Sequence, residues 1–358
     1  MVVNIRIFNS VLVLLVMGMC LGSCDRSEPK QNHELIEYKV EGEIIPFKGM
    51  EVLAPNSLNI IDNQVVVIES DLEEDFVKVF EAEELSFSHA FGKRGKGPGE
   101  FSSIISMPIP SVGNSSISIY DFVSKKVRQF NIQTTDASIA SELEYVLPPS
   151  FMVAQGAIFL NDSTVLVKGG RSDGLFSIVD AHSDSSFSVN PFSTNNGYYT
   201  SRALRNFFNT QLAIDFKRER IVACTIYIPE LFVFNFDGEL IQSFKTAPYD
   251  VEQIIEQSDE EKTVYFHDVH LTEEFIYATY FGNQMSRIGE ILDDENSDYS
   301  NLTQIFVFDW EGEHKETLQL AHGFYPFIEV TSDNKYIYAL DFITGDNSLS
   351  LFSRSSNK

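Results

Sequence analysis

The stretch IVACTIYIPELFVFNFDGELIQSF, residues 221–244, contains three short apolar runs that are separated by polar turns. The runs are residues 221–224, 231–234 and 240–241, and Asp237-Gly238 forms the turn before the last of them. Short runs rich in Val, Ile and Phe, bounded by Gly, Asn and Asp, are typical of β-strands. The stretch therefore predicts three consecutive strands of one small antiparallel sheet.

The same pattern recurs six times along the chain. Equivalent positions in the six copies are Val66, Ser118, Leu166, Val222, Ile276 and Ile337. The steps between these positions are 52, 48, 56, 54 and 61 residues. A four-stranded propeller blade with its connections needs about 40–50 residues, so the recurrence favours six irregular blades.

Burial explains why such copies would form a ring. One small sheet cannot bury both of its faces, whereas six sheets around an axis cover each other. We therefore predict an all-β fold, a six-bladed β-propeller. Residues 35–40 form a strand without a blade of its own, and we expect this N-terminal strand to pair with the last blade and close the circle. A β-sandwich or two smaller barrels are the alternatives, but they would show a shorter spacing.

The composition indicates a large folded body and excludes one class of partner. Of the 358 residues, 43% are hydrophobic, and 30 Phe and 14 Tyr provide ample material for a core. Such a chain is not globally disordered. The 26 Lys and Arg residues stand against 52 Asp and Glu, which gives a net charge of −26. A nucleic-acid partner needs a cationic surface, so we expect none.

The first 23 residues predict a secretory signal peptide. Arg6 is the only charged residue before Asp25, and residues 11–21 form an apolar run. This run is shorter than the ~20 residues that a membrane-spanning helix needs. Leu21-Gly22-Ser23-Cys24 resembles the bacterial lipobox, which implies cleavage before Cys24 and attachment of lipid to this residue. An ordinary signal peptide with an incidental cysteine is the alternative.

These features divide the chain into three parts. We expect a lipoprotein signal peptide over residues 1–23, a tether over residues 24–34 and the six-bladed β-propeller over residues 35–358. The lipidated Cys24 would attach the protein to a membrane of the bacterial cell envelope, and we expect an outer-membrane lipoprotein. Periplasmic-facing and surface-facing placements both stay open. Cys224 lies in an apolar strand, and we expect a buried, unreactive thiol there.

A glycine-rich loop follows the first copy. Between Phe91 and Phe101 it consists of Gly92, Lys93, Arg94, Gly95, Lys96, Gly97, Pro98, Gly99 and Glu100. This string resembles the hallmark of the TolB-like six-bladed propeller lipoproteins of Bacteroidetes, in which a G-x-x-G-x-G-P-G-E-[FY] loop follows the first blade. The resemblance implies the propeller fold and the envelope compartment, and it implies no particular activity.

The chemistry of this loop allows two interpretations. A glycine-rich backbone beside Lys93, Arg94 and Lys96 would suit an anion. Alternatively, the loop is a structural connector in which Glu100 accepts hydrogen bonds from backbone amides. It is not a phosphate-binding P-loop, because no Lys-Ser or Lys-Thr follows its last glycine, and it lacks the βαβ context of a dinucleotide fingerprint.

Two other clusters carry candidate chemistry. His267-Asp268-Val269-His270 offers two imidazoles, but residues 267 and 270 point to opposite faces of an extended strand, so we expect polar residues of the surface or channel and no metal site. Residues 293–298 form an acidic insertion that begins like a calcium loop. Tyr299 and Ile305 stand where an EF-hand has Gly and Glu, so we expect a solvated loop on one propeller face, where it would cover the axial opening.

Two functions follow from these features. The first is a non-enzymatic binding or scaffold lipoprotein, without a cofactor, that uses a propeller face to bind a glycan, a peptide or a partner protein. The second is a calcium-dependent hydrolase or lactonase with an ion on the axis, whose ligands by position would be Asn161, Asn209, Asp215 and Asp268. No Gly-x-Ser-x-Gly nucleophile elbow occurs in the sequence. We favour the binding function.

Overall fold

The computed structural model describes residues 36–53, 55–69, 75–95, 97, 100–103, 109–113, 115–133, 143–151, 153–169, 173–192, 201–293, 299, 302–340 and 348–354. The predicted signal peptide, Cys24 and the predicted tether lie outside the described residues. The strands of the described part form six sheets. Each sheet is one blade, and the six-bladed β-propeller predicted from the repeat is confirmed.

The first half of the chain forms three blades. Two strands come first, β1 (Ile36–Val40) and β2 (Gly42–Pro46). Blade 1 contains β3 (Pro55–Ile61), β4 (Gln64–Glu69), β5 (Val77–Glu81) and β6 (Ser86–Phe91). A short strand β7 (Ser111–Val112) precedes blade 2, which contains β8 (Ser116–Asp121), β9 (Lys126–Asn131) and β10 (Leu143–Val146). After a 3-10 helix (Pro149–Phe151), blade 3 contains β11 (Ala154–Asn161), β12 (Thr164–Gly169), β13 (Phe176–Asp180) and β14 (Ser186–Val189).

The second half adds three blades and three short helices. Helix α1 (Ser201–Phe207) leads into blade 4, with β15 (Thr210–Asp215), β16 (Arg220–Thr225), β17 (Glu230–Asn235) and β18 (Leu240–Lys245). Helix α2 (Val251–Glu256) leads into blade 5, with β19 (Thr263–Leu271), β20 (Phe275–Gln284), α3 (Met285–Asp293), β21 (Gln304–Asp309) and β22 (His314–Leu320). Blade 6 contains β23 (Phe327–Val330), β24 (Tyr336–Leu340) and β25 (Ser348–Ser353).

The six repeat positions occupy equivalent strands. They lie in β4, β8, β12, β16, β20 and β24. In five of the blades this strand follows the inner strand, and in blade 2 it is the first strand of the described sheet. Alternate residues of these strands pack on opposite neighbours. Val66 lies between blades 1 and 2, whereas Val65 and Val67 lie between blades 6 and 1. Burial on both faces explains why strands such as β4, β16 and β24 consist of almost continuous apolar runs.

The core is divided among the contacts between blades. Among the described residues, six clusters of buried apolar side chains each join two adjacent blades, and together they go once around the ring. Cys224 lies fully buried in the cluster between blades 4 and 5, as the sequence predicts. Burial raises the pKa of its thiol, which keeps the sulfur protonated and unreactive.

The circle is closed by an N-terminal strand on the last blade, as predicted, but the segment is a different one. Strand β2 pairs antiparallel with β25 and becomes the outer strand of blade 6. Strand β1, which includes most of the predicted closing segment, instead pairs in parallel with β22 and adds a fifth strand to blade 5. In residues 36–44 every second residue is charged, and this alternation continues through Glu41 from β1 into β2. The sequence therefore does not show where one strand ends and the other begins.

The two ends of the inner strands define two faces. The turns that follow the inner strands of blades 1, 3, 4, 5 and 6 all lie on one side, which we call the hairpin face. The starts of the same strands lie on the opposite side, the connector face. Helices α1, α2 and α3 adjoin the connector ends of blades 4 and 5, where Ile288 of α3 packs in a seventh apolar cluster.

The insertion in blade 5 is partly helical. Helix α3 ends at Asp293, and residues 294–298 of the predicted acidic loop lie outside the described residues. In the described part of the chain, the helices are too short or too polar to cross a membrane.

Candidate functional site

The centre of the propeller is filled by residues 109–113. Strand β7, which precedes blade 2 in the chain, pairs in parallel with β15, the inner strand of blade 4. The Ile214 N–H donates to the Pro110 carbonyl oxygen at 2.9 Å, and the Phe216 N–H donates to that of Val112 at 3.1 Å. The side chain of Ile109 is also buried, so residues 109–113 occupy the axis, and the open space lies at one end of it.

Polar side chains meet beside this central segment. Ser57, Lys168, Gln211 and Asp268 line a cavity of about 20 Å³, which has room for about one water molecule. The Lys168 ammonium donates to Gln211 Oε1 at 2.5 Å. The Asp268 carboxylate accepts the backbone N–H groups of Val269 at 2.9 Å and of Ile328 at 3.4 Å.

Burial changes the acidity of the two charged groups on the axis. It lowers the pKa of Lys168 to about 8 and raises the pKa of Asp268 to about 7, and the nearby Glu329 carboxylate adds to the second shift. A calcium ion requires six to eight oxygen ligands. Here the Lys168 ammonium donates to the amide oxygen of Gln211, and a calcium ion would need that oxygen as a ligand. These residues therefore fit an axial calcium ion poorly.

A buried ion pair ties three blades together at the edge of this cluster. His270 on β19 places Nδ1 2.8 Å from Oε2 of Glu329 on β23. The same oxygen accepts the N–H of Ile60 on β3 at 3.2 Å. Burial lowers the pKa of His270, but the Glu329 carboxylate outweighs it, so the pKa lies above its usual value and favours the imidazolium.

A cleft of about 570 Å³ lies on the hairpin face over this ion pair. The hairpins of blades 1, 5 and 6 and residues 111–113 form its walls. Its polar lining includes Asp62, Asn63, Glu83, His270, Glu273, Asp333 and Tyr336. The partly exposed apolar residues Ile60, Val112 and Leu351 complete the wall. Its volume falls within the range of about 300–1,000 Å³ that is usual for ligand sites.

The carboxylates of the cleft differ in their partners. Glu273 pairs with Lys217 and Asp333 pairs with Lys335, each at 2.7 Å. The Lys335 ammonium lowers the pKa of Asp333 to about 2. Asp62 accepts only a neutral donor, Gln133 Nε2 at 3.0 Å, and within the described residues neither Asp62 nor Glu83 has an ion pair. The blade 1 side of the cleft therefore carries uncompensated negative charge.

A second cavity of about 560 Å³ adjoins the cleft between blades 5 and 6. Asp333 and Tyr336 line both cavities and form the ridge between them. Arg354 lies on the far wall, where it donates to the Tyr277 hydroxyl at 2.7 Å and stacks 4.8 Å from the centre of the Phe275 ring. We call this second cavity the side groove.

The described part of the glycine-rich loop wraps around Glu100. Glu100 Oε2 accepts the Gly97 N–H at 2.7 Å, which confirms the predicted bond from this carboxylate to a backbone amide. A Cβ atom on Gly95 would lie 1.9 Å from the same oxygen. The Glu100 carbonyl accepts Arg128 Nη1 at 2.9 Å, and Phe101 is fully buried between blades 1 and 2. These contacts favour the structural interpretation of the loop.

The anion-binding interpretation has less support from the geometry. Lys93 and Arg94 are exposed, and an internal carboxylate already takes the Gly97 N–H. Lys96, Pro98 and Gly99 lie outside the described residues. Of the loop residues that the structure describes, none lines the cleft or the side groove.

The predicted axial ligands do not converge. Asn161 and Asp215 end strands β11 and β15 and bond the turns that follow, where Asn161 Oδ1 accepts the Ser163 N–H at 3.0 Å and Asp215 Oδ1 accepts the Arg218 N–H at 2.8 Å. Asn209 precedes β15, and of the four candidates only Asp268 lines the axial cavity. In the described part of the chain, no group of three His, Cys, Asp or Glu side chains is placed to hold a metal ion.

The two histidines of the predicted cluster have separate surroundings. His267 Nδ1 lies 3.2 Å from the Pro326 carbonyl oxygen, and its ring contacts Phe281 and Phe327. Burial lowers the pKa of His267 to about 4. His270 alone lines the cleft.

Sequence reasoning did not find the cleft residues. Asp62, Glu273 and Asp333 lie in three turns that are far apart in the chain, and acidic residues are common in turns. Their one shared signal is position, because each follows the inner strand of a blade. This shared position predicts that the three residues lie close together only when the order of the blades around the axis is known.

A closed ring of six sheets with a filled axis and a cleft at one mouth defines this chain as a six-bladed β-propeller. The sequence profile described as TolB-like 6-blade propeller-like matches residues 44–355. The chain therefore belongs to this TolB-like family, and the family membership predicted from the glycine-rich loop is confirmed.

Two solved structures are similar to this chain. A member of the DUF4221 family from Bacteroides vulgatus has 12% sequence identity and a TM-score of 0.58, with 89% of this chain and 97% of that chain covered. A Bacteroides fragilis protein that is inferred to be exported has 17% identity and a TM-score of 0.54, with 90% and 99% covered. At these identities the likeness shows the fold alone. No curated protein matches the chain by sequence.

The raised pKa of Asp268 predicts a specific pH dependence of stability. The native state holds a proton on this group up to about pH 7, whereas the unfolded chain releases it near its ordinary pKa of 3.8. The stabilisation is thus complete below pH 3.8 and is lost as the pH rises towards 7, by about 1.4 kcal/mol for each unit of pKa shift. In Asp268→Asn this loss should disappear from denaturant unfolding curves measured across that range.

Asp309→Asn is the control for this measurement. Lys315 and backbone N–H groups hold the pKa of Asp309 below its usual value despite partial burial, so its contribution has the opposite sign. Removing Asp309 should leave the loss of stability between pH 4 and pH 7 in place. A pH profile of Asp268→Asn that runs parallel to the wild type would contradict the assignment.

Proposed function

We propose that this chain is a non-enzymatic binding lipoprotein of the cell envelope that takes up its ligand in the hairpin-face cleft. The observation that carries the proposal is a ligand-sized cavity at the mouth of a filled axis. A fold alone does not define a function, whereas this cavity is a site that a ligand would fit.

The contacts of the cleft support binding over catalysis. A hydrolytic site needs a nucleophile beside a free base, or a metal ion with an open position. Here the imidazole of His270 is held by Glu329, and the carboxylates of Glu273 and Asp333 are held by lysines. Each of these groups already has a partner, so none of the three is a free base for catalysis.

The envelope location is supported by the sequence and by one similar structure. Leu21-Gly22-Ser23-Cys24 supplies the lipobox pattern. The Bacteroides fragilis protein of similar fold is inferred to be exported. We propose that Cys24 carries the lipid and holds the propeller at the outer membrane.

A cleft-blocking substitution tests the binding site. We expect a thermal-shift screen of tetrasaccharides and tetrapeptides to find at least one probe that raises the Tm of the purified protein, because a ligand of the folded state stabilises it. In Ser332→Trp, which places an indole in a cleft wall, the shift from this probe should be lost. Mass spectrometry should recover the probe unchanged.

Ser163→Trp is the matched control. Ser163 lies in the equivalent hairpin turn of blade 3 on the same face, and it does not line the cleft. This variant should keep the full shift. Probes that bind Ser332→Trp as well as they bind the wild type would contradict the site, and conversion of a probe to products would contradict the non-enzymatic function.

Replacement of Cys24 tests the anchor. We expect the wild type grown with radioactive palmitate to carry label and to enter the detergent phase of a Triton X-114 extraction, because acyl chains partition into it. Cys24→Ser should carry no label and stay in the aqueous phase, whereas Cys20→Ser should behave as the wild type. Labelled Cys24→Ser would show that the lipid is attached elsewhere or that the motif is incidental.

A further inference from the structure

The charge of the cleft selects the sign of its ligand. Lys217 and Lys335 neutralise the carboxylates on the blade 5 and blade 6 walls, whereas Asp62 and Glu83 on blade 1 have no ion pair among the described residues. The chain as a whole carries a net charge of −26. An anionic ligand would meet repulsion at long range and in the cleft, and a cationic one would be attracted at both.

The apolar wall fits the shape of a basic side chain. Ile60, Val112 and Leu351 are partly exposed and line the cleft together with its carboxylates. Lys and Arg carry a charged head on an apolar stem, and they bury the stem where the head can reach polar groups. A compact inorganic cation would leave this apolar wall without a contact.

The side groove indicates that the ligand is extended. The cleft and the side groove share Asp333 and Tyr336 as a common ridge. The Tyr336 side chain is 41% exposed on this ridge, where its ring can contact a chain that crosses it. On the far wall of the groove, Arg354 is ion-paired with Glu316, and Glu274 accepts a hydrogen bond from Asn334. Because these charges already have partners, the wall suits a polar backbone more than a second strong charge.

From these features we infer that the ligand is an extended basic peptide. One Lys or Arg side chain enters the cleft towards Asp62 and Glu83, and the peptide backbone crosses Tyr336 into the side groove. A neutral glycan could stack on Tyr336, but it would leave the charge on blade 1 uncompensated. This inference rests on the proposed function, because it names the ligand class of the same cleft.

The first experiment measures the contribution of the blade 1 carboxylates. Fluorescein-labelled tetralysine amide is titrated with the purified protein and followed by fluorescence anisotropy, with labelled tetraglutamate and maltotetraose as the other probes. Asp62→Asn with Glu83→Gln should weaken tetralysine binding about tenfold or more, equivalent to about 1.4 kcal/mol. Tetraglutamate should bind neither protein.

A second double variant controls for the overall charge. Asp162→Asn with Glu219→Gln makes the same change in net charge at exposed hairpin positions of blades 3 and 4, outside the cleft lining. It should change the tetralysine affinity less than about twofold, since exposed distant charges are largely screened at physiological salt. Equal losses in the two double variants would show general attraction to an acidic protein and would overturn the inference.

The second experiment tests the path over the ridge. In the wild type, a dilysine peptide with a glycine-serine tail should bind more tightly than dilysine amide. This gain in affinity should be lost in Tyr336→Ala and kept in Tyr336→Phe. Tm values close to that of the wild type should show that both variants keep the fold. A gain that Tyr336→Ala retains would overturn the extended path.

The outcomes separate this inference from the proposed function. Maltotetraose binding that Ser332→Trp abolishes, without tetralysine binding, would overturn the basic peptide and leave the cleft as the binding site. If Ser332→Trp changes the binding of none of the probes that bind the wild type, both the inference and the proposed site are wrong.

Discussion

The pairing of β2 with β25 is the contact on which the rest of the structure depends. It joins the N-terminal end of the propeller to its last blade, so that the outer strand of blade 6 comes from one end of the chain and its other strands from the other. Without this pairing, the cluster between blades 6 and 1 would lose Phe47, which follows β2 directly. Each blade needs a neighbour on both sides to bury its two faces. An open ring would leave one face of its first blade and one face of its last blade exposed.

Closure also determines where polar groups can lie. The inner strands of blades 1, 3, 4, 5 and 6 converge on the axis, and the ring leaves space there that residues 109–113 fill. The buried charges of Lys168, Asp268, His270 and Glu329 are tolerated because each has a hydrogen-bond or ion-pair partner from another blade or from its own backbone. The ion pair of His270 with Glu329 links blades 5 and 6 at the base of the cleft. The cleft is thus built on contacts that exist only in the closed ring.

Much of this fold could be predicted from the sequence, because burial on both faces imposes a pattern on every blade. Val66, Val222 and Ile337 are equivalent in the sequence and equivalent in space. The destination of β1 could not be predicted, since an edge strand can add to blade 5 or to blade 6 with the same alternation of side chains. The pairing of Ser111 and Val112 with blade 4 is likewise a tertiary effect, and no local propensity indicates it. Asp62 and Asp333 both line the cleft although they lie near opposite ends of the chain. Asn161 and Asp215 accept N–H groups of turns, and the sequence alone does not distinguish such residues from metal ligands.

Hydrogen exchange of the β2 amides, followed by mass spectrometry on the native protein, tests the closed ring most directly. If β2 is the outer strand of blade 6, its amides should be protected as strongly as those of β25, because both open only when the ring opens. Exchange of residues 42–46 at the rate of a free chain, while residues 348–353 remain protected, would contradict the closure and with it the cleft that the closed ring supports.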